Sequence, residues 1–320
     1  MKVRICFHNQ CFDGTASAAV FSRLFLERIS QKAEFHYTGL AHRAGQLFDE
    51  GLFDGEENAI VDFKYSSSPQ LTWWFDHHQS AFLTEEDAEH FKKDTGARKF
   101  YDPTFRSCAG WIAHIGETQF GFQTENLKEL IHWADIIDGA QYPDAKSAVE
   151  MKEPAIRLGL VIEASRSPDV IPRLIRELTF RSLSEVAALP YIAESFDQLF
   201  AEHQKAAEIL RARAALDSRV VYFDISEESL ETYNKFIPYY LFPQAVYCVG
   251  VSVSKDRAKI AVGTNPWNPT RKTRNLATIC ERHGGGGHAK VAAISLPPAE
   301  RAEAQRLGLE IAELLRRDFR

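Results

Sequence analysis

Leu71-Thr72-Trp73-Trp74-Phe75-Asp76-His77-His78 is an apolar run that stops on one carboxylate and two imidazoles. Its apolar part, residues 71–75, reads as a buried strand, and the three polar groups lie at that strand's end. Left alone, such groups are costly to desolvate, whereas a bound divalent metal with a phosphate ester compensates them. Outward from this stretch, residues 58–61 form a second strand candidate that runs into Asp62. Residues 3–7 form a third, which breaks at His8 and passes through Asp13-Gly14 into helical periodicity over residues 15–29, with apolar Val20, Phe21, Leu24, Phe25 and Leu26. Three successive strands thus deliver acidic or imidazole groups at their carboxyl ends, where open α/β sheets bind ligands.

The rest of the chain extends this α/β pattern. Residues 107–216 are mostly helical in pattern, with breaks near Pro143, Pro168 and Pro190, and are expected to cap a parallel sheet. Strand candidates return at 219–223, 247–252 and 259–262, which places a second, smaller α/β domain after residue 217. The expected division is 1–195, a helical linker at 196–216, and 217–320. The linker contains no glycine and should be stiff. With 320 residues, 45% of them hydrophobic, the chain can fill two cores. A net charge of -6 excludes a global basic field for non-specific nucleic-acid binding, so any polyanion must be held by a local patch. Five scattered cysteines suggest no disulfide framework and fit a reducing compartment. No apolar run approaches the roughly 18 residues of a membrane span, and the first residues read as a strand rather than a signal peptide. The expectation is a cytoplasmic protein with no membrane partner.

Four segments supply candidate metal ligands: His8 with Cys11 and Asp13, then Asp62, then Asp76-His77-His78, then Asp135. Two divalent ions about 3.5 to 4 Å apart need a bridging carboxylate with oxygen and imidazole ligands, and they activate water for in-line phosphoryl displacement. These residue types suit manganese, iron or zinc better than calcium. Taken singly, each is ordinary: His8 a structural histidine, Asp13-Gly14 a helix-entry turn, and Asp62 and Asp135 loop or helix carboxylates. The combination carries the reading.

The order His8, Asp13-Gly14, Ser17-Ala18, Asp62, Asp76-His77-His78, Asp135 and Gly284-Gly-Gly-Gly-His288 resembles the DHH phosphoesterases that carry a DHHA1 domain, over nearly the whole chain. The resemblance implies a two-lobed protein with an N-terminal parallel-sheet DHH domain, a helical cap and a C-terminal DHHA1 domain. It also implies two manganese ions and hydrolysis of phosphodiester or phosphoanhydride bonds. By motif position, Asp62 bridges the metals; Asp13, His77 and Asp135 complete one site, and His8 belongs to the other. Asp76 orients the ligands, His78 faces the phosphate, and Gly285, Gly286, Gly287 and His288, with Arg282, bind substrate. One position departs from the family pattern, since Cys11 stands where a first aspartate is usual. A thiolate there favours zinc or iron, and a neutral thiol weakens the His8 site.

Upstream of the glycine run lie Arg271, Lys272 and Arg274, with only Glu281 opposing them between residues 271 and 290. This local cationic cluster beside exposed amides is a candidate phosphate site; the other reading is a solvated loop. Trp267, in a polar turn, either stacks on a base or anchors the core. The expected substrate is a short oligonucleotide or a nucleotide, cleaved by metal-activated water. Exopolyphosphatase action, and a catalytically weakened nucleotide-binding protein, remain as alternatives, and an oligomer is possible.

Overall fold

The computed structural model describes residues 1–42, 48–49, 51–228, 230, 232–270 and 273–320. The chain divides into two compact units: Met1–Tyr142 with Met151–Leu199, and Pro143–Glu150 with Phe200–Arg320. A single 24-residue helix, Pro190–Arg213, runs through the change of unit, so residue 195 falls inside it.

In the first unit five strands, β1 (Lys2–His8), β2 (Glu34–Leu40), β3 (Glu57–Val61), β4 (Trp73–Asp76) and β5 (Lys99–Tyr101), form a sheet in the order β2-β1-β3-β4-β5. Every pairing is parallel. A parallel sheet is covered on both faces, which explains why β4 is apolar at successive positions instead of alternating. Trp73 and Phe75 join one core with Phe21 and Phe25 of the first helix, Phe12–Arg28. Trp74 joins a second core with Cys6, Ile60, Phe63 and Tyr65. The aromatic rings interlock at 5.6 Å between Phe21 and Trp73 and at 4.8 Å between Tyr65 and Trp74. The order 2-1-3-4-5 reverses between β1 and β3, and this switch point opens the crevice in which such sheets bind ligands.

The second unit has its own mixed sheet, in the order β10-β11-β9-β8-β7-β6. Its strands are β6 (Ala215–Asp217), β7 (Val220–Asp224), β8 (Tyr247–Val253), β9 (Ala258–Thr264), β10 (Gly286–His288) and β11 (Val291–Leu296). Only β7 and β8 pair in parallel. The amphipathic helix Arg301–Arg316 buries Leu307, Ile311 and Leu315 in the same core as Val249, Val251 and Ile260. Residues 143–150 join this unit through Ala148 O and Val149 O, which accept from Asn234 Nδ2 and His203 Nε2. Among the described residues no helix is long and apolar enough to cross a membrane.

Candidate metal centre

The carboxyl ends of β1, β3 and β4 carry His8, Asp62 and Asp76-His77-His78, on either side of the switch point. After His8 the chain turns through Gln10, whose φ is 55° and whose Nε2 donates to Ser165 O at 2.7 Å. The first helix then starts so close to β1 that a Cβ on Gly14 would lie 2.2 Å from His8 O. Only glycine permits that approach, and it sets Asp13 beside the strand ends. Asp62 is fully buried with φ 57°, a left-handed conformation that costs energy in a residue other than glycine and clusters at functional sites.

Four contacts converge on these groups. His77 Nε2 lies 3.5 Å from Asp13 Oδ2, 3.5 Å from Asp62 Oδ1 and 3.7 Å from Asp138 Oδ2, and His8 Nδ1 lies 3.5 Å from Asp62 Oδ2. His77 Nδ1 is 3.1 Å from Phe105 O, and because a carbonyl only accepts, Nδ1 carries a proton and Nε2 is the ring atom that faces the carboxylates. Asp13 accepts the N–H groups of Cys108 (2.7 Å) and Ala109 (3.0 Å), at the start of the helix Cys108–Phe120. There the helix dipole favours an anion. Asp76 Oδ1 accepts from the His77 and His78 backbone and from His78 Nδ1 at 2.7 Å, fixing the direction of the half-buried His78 ring.

What this arrangement lacks is positive charge. His8 Nδ1, both oxygens of Asp62, Asp76 Oδ2 and His77 Nε2 are buried without a hydrogen-bond partner, and orphaned groups of this kind are costly. Burial pushes the Asp13 carboxyl well above its ordinary range, and the Asp62 and Asp138 charges push it further. Burial also raises Asp138, with Asp62 adding to the effect. Burial alone would raise Asp62 too, but His77 and His8 outweigh it and hold that carboxyl well below the usual range. Burial opposes charge on His77, whereas Asp62 and Asp13 hold its pKa up to about 10. Hydrogen bonding to Asp76 raises His78. Burial, then the Asp62 and Asp13 charges, keep the Cys11 thiol protonated far above its normal pKa.

The donor set fits a divalent cation. His8, Cys11 and Asp62 offer ligand atoms within 4.8 Å of one another, as do Asp62, His77 and His78, and Asp13, His77 and Asp138. Asp62 belongs to two of these groups and His77 to two.

Asp135 is not where the sequence reading placed it. Its Oδ1 accepts from Ser107 Oγ at 2.6 Å, and Ser107 in turn caps the Cys108 helix by accepting from Gly110 N. The carboxylate beside His77 is Asp138, one turn further along the helix Lys128–Asp138. Its signal was present in Asp135-Ile-Ile-Asp138, where spacing of three puts both carboxylates on one face. Sequence reasoning also missed the Phe105 carbonyl, the Cys108 and Ala109 amides, and His42. The His42 ring stacks on Phe63 at 4.8 Å and meets the His8 ring at 5.0 Å.

In the second unit the glycine run is not an open loop. Gly286–His288 is β10, paired with β11, and at Gly287 (φ 142°) a Cβ would lie 2.5 Å from Val291 O. Gly285 likewise abuts Ala293 O. The Arg282, His288 and Lys290 side chains are exposed. Of the cationic cluster, Arg274 is held by Asp318 through Nε–Oδ2 at 2.8 Å and Nη2–Oδ1 at 2.5 Å, and Arg271 and Lys272 lie outside the described residues. Trp267 packs against Phe236 at 5.2 Å, which favours its reading as an anchor.

No family model matches the chain, and no curated protein matches it. Among solved structures it is similar to a pGpG-specific phosphodiesterase, PggH from Vibrio cholerae, at TM-score 0.70 and 17% identity over 98% of this chain and 100% of that one. A member of the s1p family of ribosomal proteins, solved as its DHH domain, gives TM-score 0.56 and 12% identity over 98% of this chain and 86% of that one. The chain has the DHH fold. At these identities the likeness establishes architecture alone: the five-stranded parallel sheet and second mixed sheet are those of the two-domain DHH fold, in agreement with the class read from the motifs. In the DHH fold as built here, the Asp-His-His triplet ends β4 at the edge of the switch-point crevice.

Proposed function

We propose that the protein is a metal-dependent phosphoesterase that hydrolyses phosphodiester bonds in short oligonucleotides or nucleotides. The observation that carries this is the set of buried, unpartnered atoms of His8, Asp62 and His77, with Cys11, Asp13 and Asp138 beside them. Asp13, His77 and Asp138 would hold one cation and His8 and Cys11 the other, with Asp62 belonging to the donor groups beside both. A divalent cation in such a site supplies Lewis-acid polarisation of a phosphoryl oxygen and a water acidified enough to attack at neutral pH. The Phe105 carbonyl fixes the His77 tautomer, and the Cys108 and Ala109 amides keep the Asp13 carboxylate turned inward. His78, its Nδ1 held by Asp76, presents Nε2 as the donor to a non-bridging phosphate oxygen. Arg282 and His288, both exposed in the second unit, are the side chains we propose for binding phosphate there. The similar Vibrio protein is named for cleaving pGpG, which supports a dinucleotide as the first substrate to try. A metal that displaced the Cys11 proton would meet a thiolate, which would tilt the His8 position toward zinc or iron.

One experiment tests the reading: metal content and hydrolysis of a 5′-phosphorylated dinucleotide by the parent protein, His77→Ala and Cys11→Asp. The expected result is metal-dependent cleavage, a loss of at least about 100-fold in His77→Ala, and a shift toward manganese in Cys11→Asp. Metal-independent cleavage, or release of phosphate from polyphosphate with no dinucleotide turnover, would overturn it.

A further inference from the structure

The first unit carries a cavity of ≈ 540 Å3 walled by the Cys108 helix, the Lys128 helix and the turn holding Phe105 and Arg106. We propose that this cavity is a nucleoside subsite, which receives the base and sugar of the nucleotide whose phosphate sits at the metal centre; the inference rests on the phosphoesterase reading.

Three observations carry it. The first is adjacency: Phe105 lines the cavity, and its carbonyl oxygen contacts His77 Nδ1, across the ring from the Nε2 that faces the metal centre. Asp135 lines the cavity too, and Asp138, one helical turn on, is at the metal centre. A turn rises about 5.4 Å, which is of the order of the reach from a 5′-phosphate to its base. The second is the wall: the Phe105 and His114 rings, 5.3 Å apart, both line the cavity, and Trp111 backs them at 4.5 Å from Phe105, its plane within 14° of the His114 ring. Flat rings of this kind stack on a nucleobase whatever its identity. The third is charge. Arg106 and Lys128 equal Glu117 and Asp135 in number along the lining, and Lys128 is paired with Glu125, so the cavity suits the neutral part of a nucleotide and not a chain of phosphates. Arg106 is exposed at the cavity and makes no ion pair among the described residues, and its guanidinium offers five donors to base or sugar oxygens.

Tryptophan fluorescence tests the inference without requiring turnover. GMP or ribose 5-phosphate is titrated into metal-free parent protein, His114→Ala, His114→Phe and Trp111→Phe. GMP is expected to quench and ribose 5-phosphate is not; Trp111→Phe abolishes the signal. His114→Ala raises the GMP dissociation constant about tenfold, and His114→Phe restores it by returning a flat ring. In the hydrolysis assay, His114→Ala lowers the preference for dinucleotide over bis(4-nitrophenyl) phosphate by a similar factor. Equal binding of both ligands, or GMP binding unchanged in His114→Ala, would overturn the subsite. Quenching by GMP in a protein that cleaves no phosphodiester would remove the phosphoesterase reading and leave the subsite standing.

Discussion

At the scale of single residues, the centre depends on which of two carboxylates faces His77. Asp135 and Asp138 are three residues apart on one helix, so the sequence places both on the same stripe. Only the tilt of that helix against the sheet decides between them. Asp138→Asn should weaken metal binding by at least about 100-fold, whereas Asp135→Asn, which acts only through the Ser107 cap, should weaken it by under about tenfold; calorimetric titration of both variants measures this. A larger effect at Asp135 would reverse the assignment. The triplet Asp76-His77-His78 and Asp62 were legible because each follows directly on a buried strand, and strand ends are fixed by the apolar pattern itself. The Phe105 carbonyl and the Cys108 amides were not, because a backbone group carries no mark in the sequence.

At the scale of elements, the strands that escaped the sequence pattern in the first sheet are its edges. β2 and β5 lie at the two ends of the order β2-β1-β3-β4-β5, half covered, and lack the continuous apolar run of the central strands. β5 is three residues long and is anchored by Lys99, whose Nζ lies 2.6 Å from Asp94 Oδ2 with both side chains largely buried. The Lys99 ammonium holds the Asp94 carboxyl below its ordinary range. A carboxyl with a lowered folded-state pKa adds stability above its unfolded value, near 4, and that stability is lost as pH falls through the folded value. Lys99→Met should therefore cost roughly 1 to 2 kcal/mol at pH 7, and the gap to the parent should close as the pH drops below about 4. Denaturant unfolding at several pH values measures it, and a gap independent of pH would contradict the pairing. In the second unit, the short strand at Gly286–His288 was hidden because glycine has little strand preference. There the close approach of β11 selects it, not propensity.

At the scale of the whole molecule, the sequence showed two α/β bodies, and both are present with separate cores. It did not show that residues 143–150 belong with the later unit, where His203 and Asn234 reach the backbone carbonyls of Val149 and Ala148 and Tyr240 donates to Glu150. All the proposed ligands, His8, Cys11, Asp13, Asp62, His77 and Asp138, belong to the first unit, gathered where the order of its parallel sheet reverses. A topology that ends three strands on acids and imidazoles leaves charge that the protein alone does not balance, and a divalent cation balances it. Anomalous scattering from crystals grown with Mn2+ reads this directly. The account predicts two peaks flanking Asp62, one beside His8 and Cys11 and the other beside Asp13, His77 and Asp138. A map with no peak within bonding distance of Asp62 would contradict it.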